Sequence, residues 1–196
     1  MTEKRIADFW FDPSCPYTWL TSRWMTEVER VRAVEVRWHV MSLAVLNEHA
    51  EVDPEGDTEG YLWLPVRLFA AVEQRYGQEA LGTLYTAFGT RVHQNGQWGF
   101  EGVLADAGLP EELAAVAETT EYDQAVRASH EEGIAKVGDH VGTPVISSAG
   151  VSFFGPVISR VPRGEDAGRL WDGTLLVAAV PGFHELKGRP HEEPKF

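Results

Sequence analysis

Cysteine is nearly absent from this sequence, in which Cys15 is the only one among 196 residues. A lone cysteine cannot form an intramolecular disulfide, so the cysteine content gives no sign of an oxidising compartment. It also leaves no cysteine-based zinc site, and the histidines His39, His130 and His140 lack the spacing of metal ligands. We therefore expect neither a structural disulfide nor a bound metal.

Basic residues are scarce, with 17 Lys and Arg against 30 Asp and Glu, which gives a formal net charge of -13. Such an acidic surface repels nucleic-acid phosphates and anionic lipid. No apolar run approaches the roughly 18 residues of a membrane-spanning helix, and residues 1–5 lead into a strand-length run rather than a signal-peptide core. The sequence predicts a cytoplasmic protein that binds small molecules or neutral to basic surfaces, not nucleic acid or membranes.

Glycine-rich phosphate and dinucleotide signatures are also missing, so we expect no direct binding of a flavin or NADPH. Internal repeats and low-complexity tracts are absent as well. By contrast, hydrophobic residues make up 43% of the chain and aromatic residues 11%. That is enough for a packed core in one large domain, or in a compact domain that carries an insertion.

Apolar periodicity predicts a β-α-β unit at the start of the chain. Ile6 to Phe11 forms a short apolar run, and Val34 to Val40 alternates apolar and polar residues. Between them, apolar residues recur at helical spacing from Leu20 onward, so a helix starts near residue 14 or 15. This order implies a parallel strand pair with a right-handed crossover.

The rest of the chain changes character twice. Residues 42–60 show no period and predict a long loop, and residues 61–138 carry helical stripes throughout. Residues 145–155 then predict a β-hairpin that turns at Ala149 and Gly150, followed by a helix over about 164–179. The charged, proline-containing tail predicts partial disorder.

Cys15 lies at a position that favours a reactive thiol, because it follows the first strand and precedes the first helix. Free N–H groups and the helix dipole favour a thiolate there, so we expect a lowered pKa. Pro16 suits the first helical turn, where its missing N–H removes no helical hydrogen bond. Thr18 stands where a C-x-x-C motif has its second cysteine. Its hydroxyl can donate to the sulfur, but it cannot resolve a disulfide.

The order of elements resembles the thioredoxin fold as elaborated in the DsbA family, over nearly the whole chain. The resemblance implies an α/β thioredoxin-like domain of residues 1–60 and 139–196. It further implies an α-helical domain of residues 61–138, inserted between a β-α-β and a β-β-α unit. Thr143-Pro144 matches the family's cis-proline, which packs opposite the cysteine, and the Thr143 backbone would capture a thiol ligand or a substrate main chain.

Several short blocks are similar to the mycothiol-dependent nitroreductase branch of that family. They are Phe9-Trp10-Phe11-Asp12-Pro13, Cys15-Pro16, Thr21-Ser22-Arg23-Trp24, His39 to Ala44, Leu46-Asn47-Glu48 and Phe153 to Val157. That branch commonly carries C-P-W-C, from which this chain departs at Tyr17 and Thr18. Ser-Cys-Pro-Tyr also resembles kappa-class glutathione transferases and 2-hydroxychromene-2-carboxylate isomerases, whose chemistry differs.

Further candidate site residues surround this motif. Tyr17 and Trp19 flank the cysteine and suit a planar ligand, although Trp19 fits a core position equally well. The resemblance implies that Asn47 and His93 line a substrate pocket, while His93 could instead be a cation at a helix C-terminus. Asp8 is a candidate proton acceptor beneath the thiol, with an edge position in the first strand as the alternative.

Three functions remain open from the sequence. The first is a monothiol oxidoreductase that reduces a small aromatic molecule or a mixed disulfide, with reducing equivalents from a low-molecular-weight thiol such as mycothiol. The second is an enzyme of the glutathione-transferase or isomerase type, which activates an external thiol without Cys15 turning over. The third is a non-catalytic protein that binds a ligand or partner. Relatives often dimerise, which makes a homodimer an expectation.

Overall fold

A computed structural model describes residues 4–196 of the chain. Its strands are β1 (Arg5–Phe11), β2 (Val34–Val40), β3 (Val145–Ser148) and β4 (Val151–Phe154). Its α-helices are α1 (Pro16–Val31), α2 (Leu43–Leu46), α3 (Trp63–Gly89), α4 (Val103–Asp106), α5 (Asp123–Ile134) and α6 (Glu165–Ala178). A π-helical turn, Thr90–Gln94, continues α3, and a 3-10 helix, Glu111–Glu118, lies between α4 and α5.

The strands form one mixed sheet in the order β2-β1-β3-β4. β1 and β2 are parallel, with Phe9 opposite Trp38, so α1 makes the crossover that the sequence predicts. β3 runs antiparallel to β1, and β4 runs antiparallel to β3. The hairpin turns at Ala149 and Gly150, whose φ angles of 54° and 81° suit the tight turns of two-residue hairpins. The predicted β-α-β unit and β-hairpin are both present.

The helical block between β2 and β3 contains one break. Gly77 interrupts α3 with a φ of 82°, in the region that favours glycine. The break falls between the two apolar stripes of the sequence, which run over residues 62–76 and 81–92. The predicted loop of residues 42–60 differs from the structure at its start, where Leu43–Leu46 form α2. Four residues are too few to show a helical period, so the sequence pattern misses this helix.

The sheet and the helical block share one hydrophobic core. Phe11 of β1 stacks on Tyr85 of α3 with ring centroids 4.0 Å apart, and Phe69 packs edge-on against both rings. α1 and α6 pack together, where the Trp24 indole N–H donates to the Ala167 carbonyl across 3.0 Å. The proposed division into residues 61–138 and the remainder therefore separates chain segments rather than hydrophobic cores.

Candidate active site

Cys15 lies between β1 and α1 and is the N-cap residue of α1. Its backbone is extended, with φ of −78° and ψ of 117°, and Pro16 occupies the first helical position. The Cys15 N–H donates to the Asp12 carbonyl across 3.2 Å, which closes a turn between the strand and the helix. The side chain is partly exposed. Cys15 therefore lies at the N-terminal end of α1, as the sequence predicts.

Two buried hydroxyl groups connect α1 to the segment before β3. Thr18 lies three residues after Cys15, and its hydroxyl favours the charged form of the thiol by hydrogen bonding. Thr18 Oγ1 is 3.4 Å from Thr143 Oγ1, which also accepts a hydrogen bond of 3.2 Å from the Asp12 N–H. Thr18 and Thr143 are both buried. The residue that replaces a second cysteine is thus part of a hydrogen-bonded chain next to the sulfur.

Burial raises the pKa of the Cys15 thiol above its ordinary value. Desolvation is the largest cause, and the charge of Asp12 adds to it, while hydrogen bonds from Thr18 and Tyr17 act in the opposite direction. The predicted lowering of the pKa is therefore wrong for this structure. The prediction considered the helix N-terminus alone, and loss of hydration at the sulfur outweighs that contribution.

Asp12 is a site residue that sequence reasoning missed. Its side chain is fully buried, with Oδ1 accepting from the Ser14 N–H across 2.8 Å and Oδ2 from the Leu43 N–H across 2.7 Å. Burial raises the pKa of Asp12 to about 6, although both hydrogen bonds act to lower it. The one available signal is its position, three residues before the nucleophile. An Asp-Pro pair after a strand is otherwise read as a simple strand end.

Asp8 does not fill the role that the sequence suggests for it. Its Oδ1 lies 2.9 Å from Nε2 of His39, on the neighbouring strand β2. β1 is an inner strand of the sheet, so the alternative of an edge position is also wrong. The buried carboxyl near the thiol is supplied by Asp12, one residue beyond the end of β1.

The peptide bond between Thr143 and Pro144 is cis, as the family resemblance implies. The Pro144 carbonyl accepts a hydrogen bond from the Gly155 N–H across 2.8 Å. Within residues 4–196, the N–H and C=O of Thr143 make no backbone hydrogen bond. A second cis peptide joins Gly155 and Pro156, and the sequence analysis did not identify it. The Thr143 backbone is thus a free edge beside the hydroxyl chain.

The C-terminal tail crosses the same region. The Tyr17 hydroxyl donates to the Glu192 carbonyl across 3.1 Å, and the Tyr17 and His191 rings lie 5.8 Å apart. The Lys195 N–H donates to the Ser159 carbonyl across 2.8 Å. The tail has no regular secondary structure after residue 182, yet these contacts place residues 191–196 beside α1. Its charged, proline-containing composition predicts disorder and gives no sign of such a contact.

His93 lies in the π-helical turn after α3 and reaches back toward the cysteine segment. Its Nε2 is 2.9 Å from the Pro13 carbonyl, and burial lowers the pKa of the imidazole. The neutral ring with a proton on Nε2 satisfies this contact as a donor. The His93 ring lies nearly parallel to Trp19 and to Phe196, with centroid distances of 6.1 Å on each side. The interpretation of His93 as a helix-end cation is disfavoured by its burial.

Trp19 belongs to the core and also borders a cavity. It is 1% exposed and packs edge-on against Tyr85 with centroids 5.5 Å apart. A side chain at Gly89 would place its Cβ 2.2 Å from a Trp19 ring carbon, so only glycine admits the indole there. The guanidinium carbon of Arg23 lies 4.1 Å from the Trp19 ring centroid.

Asn47 ends α2, where its backbone N–H donates to the Leu43 carbonyl. The side chain is partly buried, and its amide makes no hydrogen bond within residues 4–196. Because the Leu43 N–H at the start of α2 binds Asp12, this short helix is anchored at the site. The structure does not connect the Asn47 amide to the hydroxyl chain beside Cys15.

Two of the cavities in the described part of the chain differ in their relation to the site. One, of about 440 Å³, lies between β2, α3 and α5 and includes His39 and Glu73 but no predicted site residue. The other, of about 290 Å³, is bordered by Trp19, Arg23 and Phe196. Among residues 4–196, no cluster of His, Cys, Asp or Glu is arranged to hold a metal ion. None of the helices in that range is long and apolar enough to cross a membrane.

The β-α-β unit with its N-capping cysteine, and the cis-proline before the hairpin, define a DsbA-like thioredoxin-fold protein. A structure of the probable DsbA oxidoreductase SCO1869 from Streptomyces coelicolor shares the fold, with a TM-score of 0.59 and 16% identity, over 94% of this chain and 100% of that one. A 2-hydroxychromene-2-carboxylate isomerase also shares it, with a TM-score of 0.53 and 13% identity, over 87% and 94% of the two chains. The predicted fold is confirmed.

The family model for Rv2466c-like proteins, described as mycothiol-dependent nitroreductase Rv2466c, matches residues 14–188. The uncharacterized protein Rv2286c of Mycobacterium tuberculosis (strain ATCC 25618 / H37Rv) is 30% identical, over 92% of this chain and 80% of that protein. The chain belongs to the Rv2466c-like family, and the resemblance identified in the sequence is confirmed. This family is one of thiol-dependent oxidoreductases.

Proposed function

We propose that the chain is a monothiol oxidoreductase in which Cys15 forms a mixed disulfide with a low-molecular-weight thiol. The observation that carries the proposal is that Thr18, whose hydroxyl lowers the pKa of Cys15, stands where a dithiol enzyme has its second cysteine, and that the sequence has no other cysteine. The family's name supports mycothiol as the thiol. The electron acceptor is a small aromatic molecule or a disulfide, and the compartment is the cytoplasm.

The cycle requires two molecules of thiol for each two-electron reduction. In the first half, the Cys15 thiol and one external thiol lose two electrons and two protons to the acceptor and become joined by an S–S bond. In the second half, the sulfur of another external thiol attacks that bond. The small-molecule disulfide leaves, and Cys15 is restored as a thiol. A dithiol enzyme performs the second half internally, which one cysteine cannot do.

Each residue around Cys15 has its own role in this cycle. The Thr18 hydroxyl, which donates to Thr143 Oγ1 in this structure, turns to the thiolate when Cys15 ionises and stabilises it. Asp12 is the buried base, and its pKa of about 6 suits it to accept and release a proton near neutral pH. The unpaired backbone N–H and C=O of Thr143 bind the amide groups of the thiol molecule beside cis Pro144. Pro16 starts the helix that holds Cys15.

The aromatic side of the site selects the acceptor. The rings of Tyr17 and His93 contact the tail residues His191 and Phe196, and Trp19 packs against His93. These three rings suit a flat molecule. Asn47 is included by its match to the family pattern, and its amide is free to bind a polar group of the acceptor.

Intact-mass spectrometry tests the proposal directly. The native protein and the Cys15→Ser variant are incubated with oxidised mycothiol or, in parallel, oxidised glutathione. We expect one thiol adduct on the native protein and none on the variant. The absence of any adduct on the native protein would contradict a mixed disulfide at Cys15.

A second candidate, activation of an external thiol, is favoured by one observation. Burial raises the pKa of Cys15, which makes it a weaker nucleophile at neutral pH than a dithiol enzyme requires. Under this alternative the site lowers the pKa of the bound thiol and Cys15 does not turn over. Cys15→Ser then keeps most of its thiol-dependent activity, whereas the monothiol cycle loses it.

A further inference from the structure

The cavity of about 290 Å³ beside Trp19 concentrates positive charge on an acidic protein. Four of its lining side chains are cationic and none is acidic, although the chain carries a net charge of -13. Arg23 comes from α1, Arg160 and Arg163 from the segment between β4 and α6, and Lys195 from the C-terminal tail. Side chains from three separate parts of the chain therefore meet at one anion-attracting opening.

Two of these cations lack a carboxylate partner. Arg163 pairs with Glu27 across 2.9 Å, and Lys195 pairs with Glu192 across 2.7 Å. Within residues 4–196, neither Arg23 nor Arg160 has a carboxylate within ion-pair distance. The two unpaired arginines outnumber the single α-carboxylate of Phe196, so the cavity keeps an excess of positive charge after the internal ion pairs have formed.

Arg23 is the more buried of these two unpaired cations. Its Nη1 donates to Thr86 Oγ1 across 3.0 Å and its Nε to Ser22 Oγ across 3.1 Å, while its buried Nη2 has no partner in the described part of the chain. Burial lowers the pKa of Arg23 to about 10, so the guanidinium is charged at neutral pH. A buried charge without a counter-ion is costly, and a bound anion would remove much of that cost.

Aromatic surface completes the cavity. Trp19 and Phe196 both line it, and the Arg23 guanidinium covers the Trp19 ring. The backbone N–H of Trp19 donates to the Cys15 carbonyl across 3.0 Å, so the cavity begins one helical turn from the nucleophile. A volume of about 290 Å³ suits a molecule with a single ring. Arginines bind a carboxylate through paired N–H donors, while the rings contact the flat part of the ligand.

We propose that this cavity binds the carboxylate of a small aromatic acid, so that the acceptor reduced at Cys15 is an anionic aromatic molecule. Calling the ligand an acceptor rests on the proposed function, whereas its binding requires no turnover. The acidic group lies near Arg23 and Arg160, and the ring lies in the cavity against Trp19, one helical turn from the cysteine.

Isothermal titration of the full-length Cys15→Ser protein with benzoate, benzamide and acetate tests the proposal without catalysis. Benzoate and benzamide have the same shape and differ in charge, and acetate lacks the ring. We expect benzoate to bind at least about tenfold more tightly than either of the others, because a charge-assisted arginine contact and a ring contact are each worth about that much. Equal affinities for benzoate and benzamide would overturn the proposal, and equal affinities for benzoate and acetate would exclude an aromatic ligand.

The variant Arg160→Gln tests whether benzoate binds in this cavity. Arg160 is exposed, so its replacement leaves the core intact, and we expect it to weaken benzoate binding by about fivefold or more and to leave benzamide unchanged. The matched control is Arg169→Gln, which removes an exposed arginine of α6 outside the cavity and should leave both affinities unchanged. Equal weakening by the two variants would show an effect of net charge and would overturn the site.

The two proposals can fail separately. A thiol adduct on the native protein without selective benzoate binding rejects the anion site and keeps the monothiol function. Selective benzoate binding without a thiol adduct rejects the monothiol function and keeps a cavity for aromatic acids.

Discussion

The two sides of Cys15 are built differently. On one side, which we call the floor, Asp12, Thr18 and Thr143 are buried and joined by hydrogen bonds between distant parts of the chain. On the other side, which we call the wall, Tyr17 and the tail residue Phe196 make looser contacts near the surface, and Phe196 is 54% exposed. In the proposed function, the floor sets the protonation of the thiol and the wall selects the acceptor.

Replacing Cys15 should have the largest effect, because the floor and the wall both serve the chemistry of its sulfur. In the Cys15→Ser variant we expect thiol-dependent turnover to fall by at least about a thousandfold, since a serine hydroxyl is not ionised at neutral pH and forms no mixed disulfide. The measurement is consumption of the thiol in the presence of an acceptor, with thermal unfolding as a check on the fold. Activity within tenfold of the native protein would favour activation of an external thiol.

Asp12→Asn changes the floor most strongly. The pKa of Asp12 is about 6 in the folded protein against 3.8 for an exposed aspartate, so protonation stabilises the fold as the pH drops below about 6. Between about pH 7 and pH 4.5, this group alone adds about 2 kcal/mol to the free energy of unfolding. Asparagine does not titrate, so the variant lacks that increment in urea unfolding.

The same variant has a second readout at the thiol. The charge of Asp12 is one of the causes that raise the pKa of Cys15, so its removal lowers that pKa. The absorbance of the thiolate near 240 nm, followed against pH, measures the change. A native-like pH dependence of stability together with an unchanged thiol titration would show that Asp12 is not coupled to the site.

Thr18→Val tests the floor with a smaller change, because valine is close to threonine in shape and lacks only the hydroxyl. The Thr18 hydroxyl lowers the pKa of Cys15, so its loss should raise that pKa further and slow alkylation by iodoacetamide at neutral pH by about three- to tenfold. Thr26→Val is the matched control, because the Thr26 hydroxyl donates to the Arg23 carbonyl on the same helix. Equal rates for native protein and Thr18→Val would separate Thr18 from the thiol.

Tyr17→Phe tests the wall and should have the smallest effect. It removes the hydrogen bond to the Glu192 carbonyl at a partly exposed position, so we expect global stability to change by less than about 1 kcal/mol. Deuterium exchange of a peptide covering residues 190–196 should become faster. Tyr76→Phe, at an exposed tyrosine of α3, is the control and leaves that exchange unchanged. Unchanged exchange in Tyr17→Phe would mean that this contact does not hold the tail.

Much of the fold could be predicted because its elements repeat a local period. The predicted bounds of β1 and β2 differ from the structure by at most one residue, and so does the start of the final helix. α2 is shorter than a helical period requires, and the tail has no period at all. Contacts such as that of Tyr17 with Glu192 join residues far apart in sequence, and they cannot be inferred from amino-acid composition.

The candidate site also has one part that the sequence predicts and one part that it does not. The spacing of Cys15 and Thr18 predicts that the hydroxyl reaches the sulfur, because one helical turn fixes that distance. The pKa of Cys15 could not be predicted from its position, because desolvation depends on side chains that arrive from elsewhere. The sequence analysis did not identify Asp12 for a related reason. Its carboxylate accepts a hydrogen bond from the N–H of Leu43, which lies beyond the second strand.

The central claim is that Cys15 depends on an outside thiol to complete its cycle. The most direct test is the rate at which the isolated Cys15 adduct loses its thiol after fresh thiol is added. We predict that this rate rises in proportion to the thiol concentration and approaches zero without it, because the chain has no second cysteine. A release rate that does not depend on the concentration of added thiol would contradict the account.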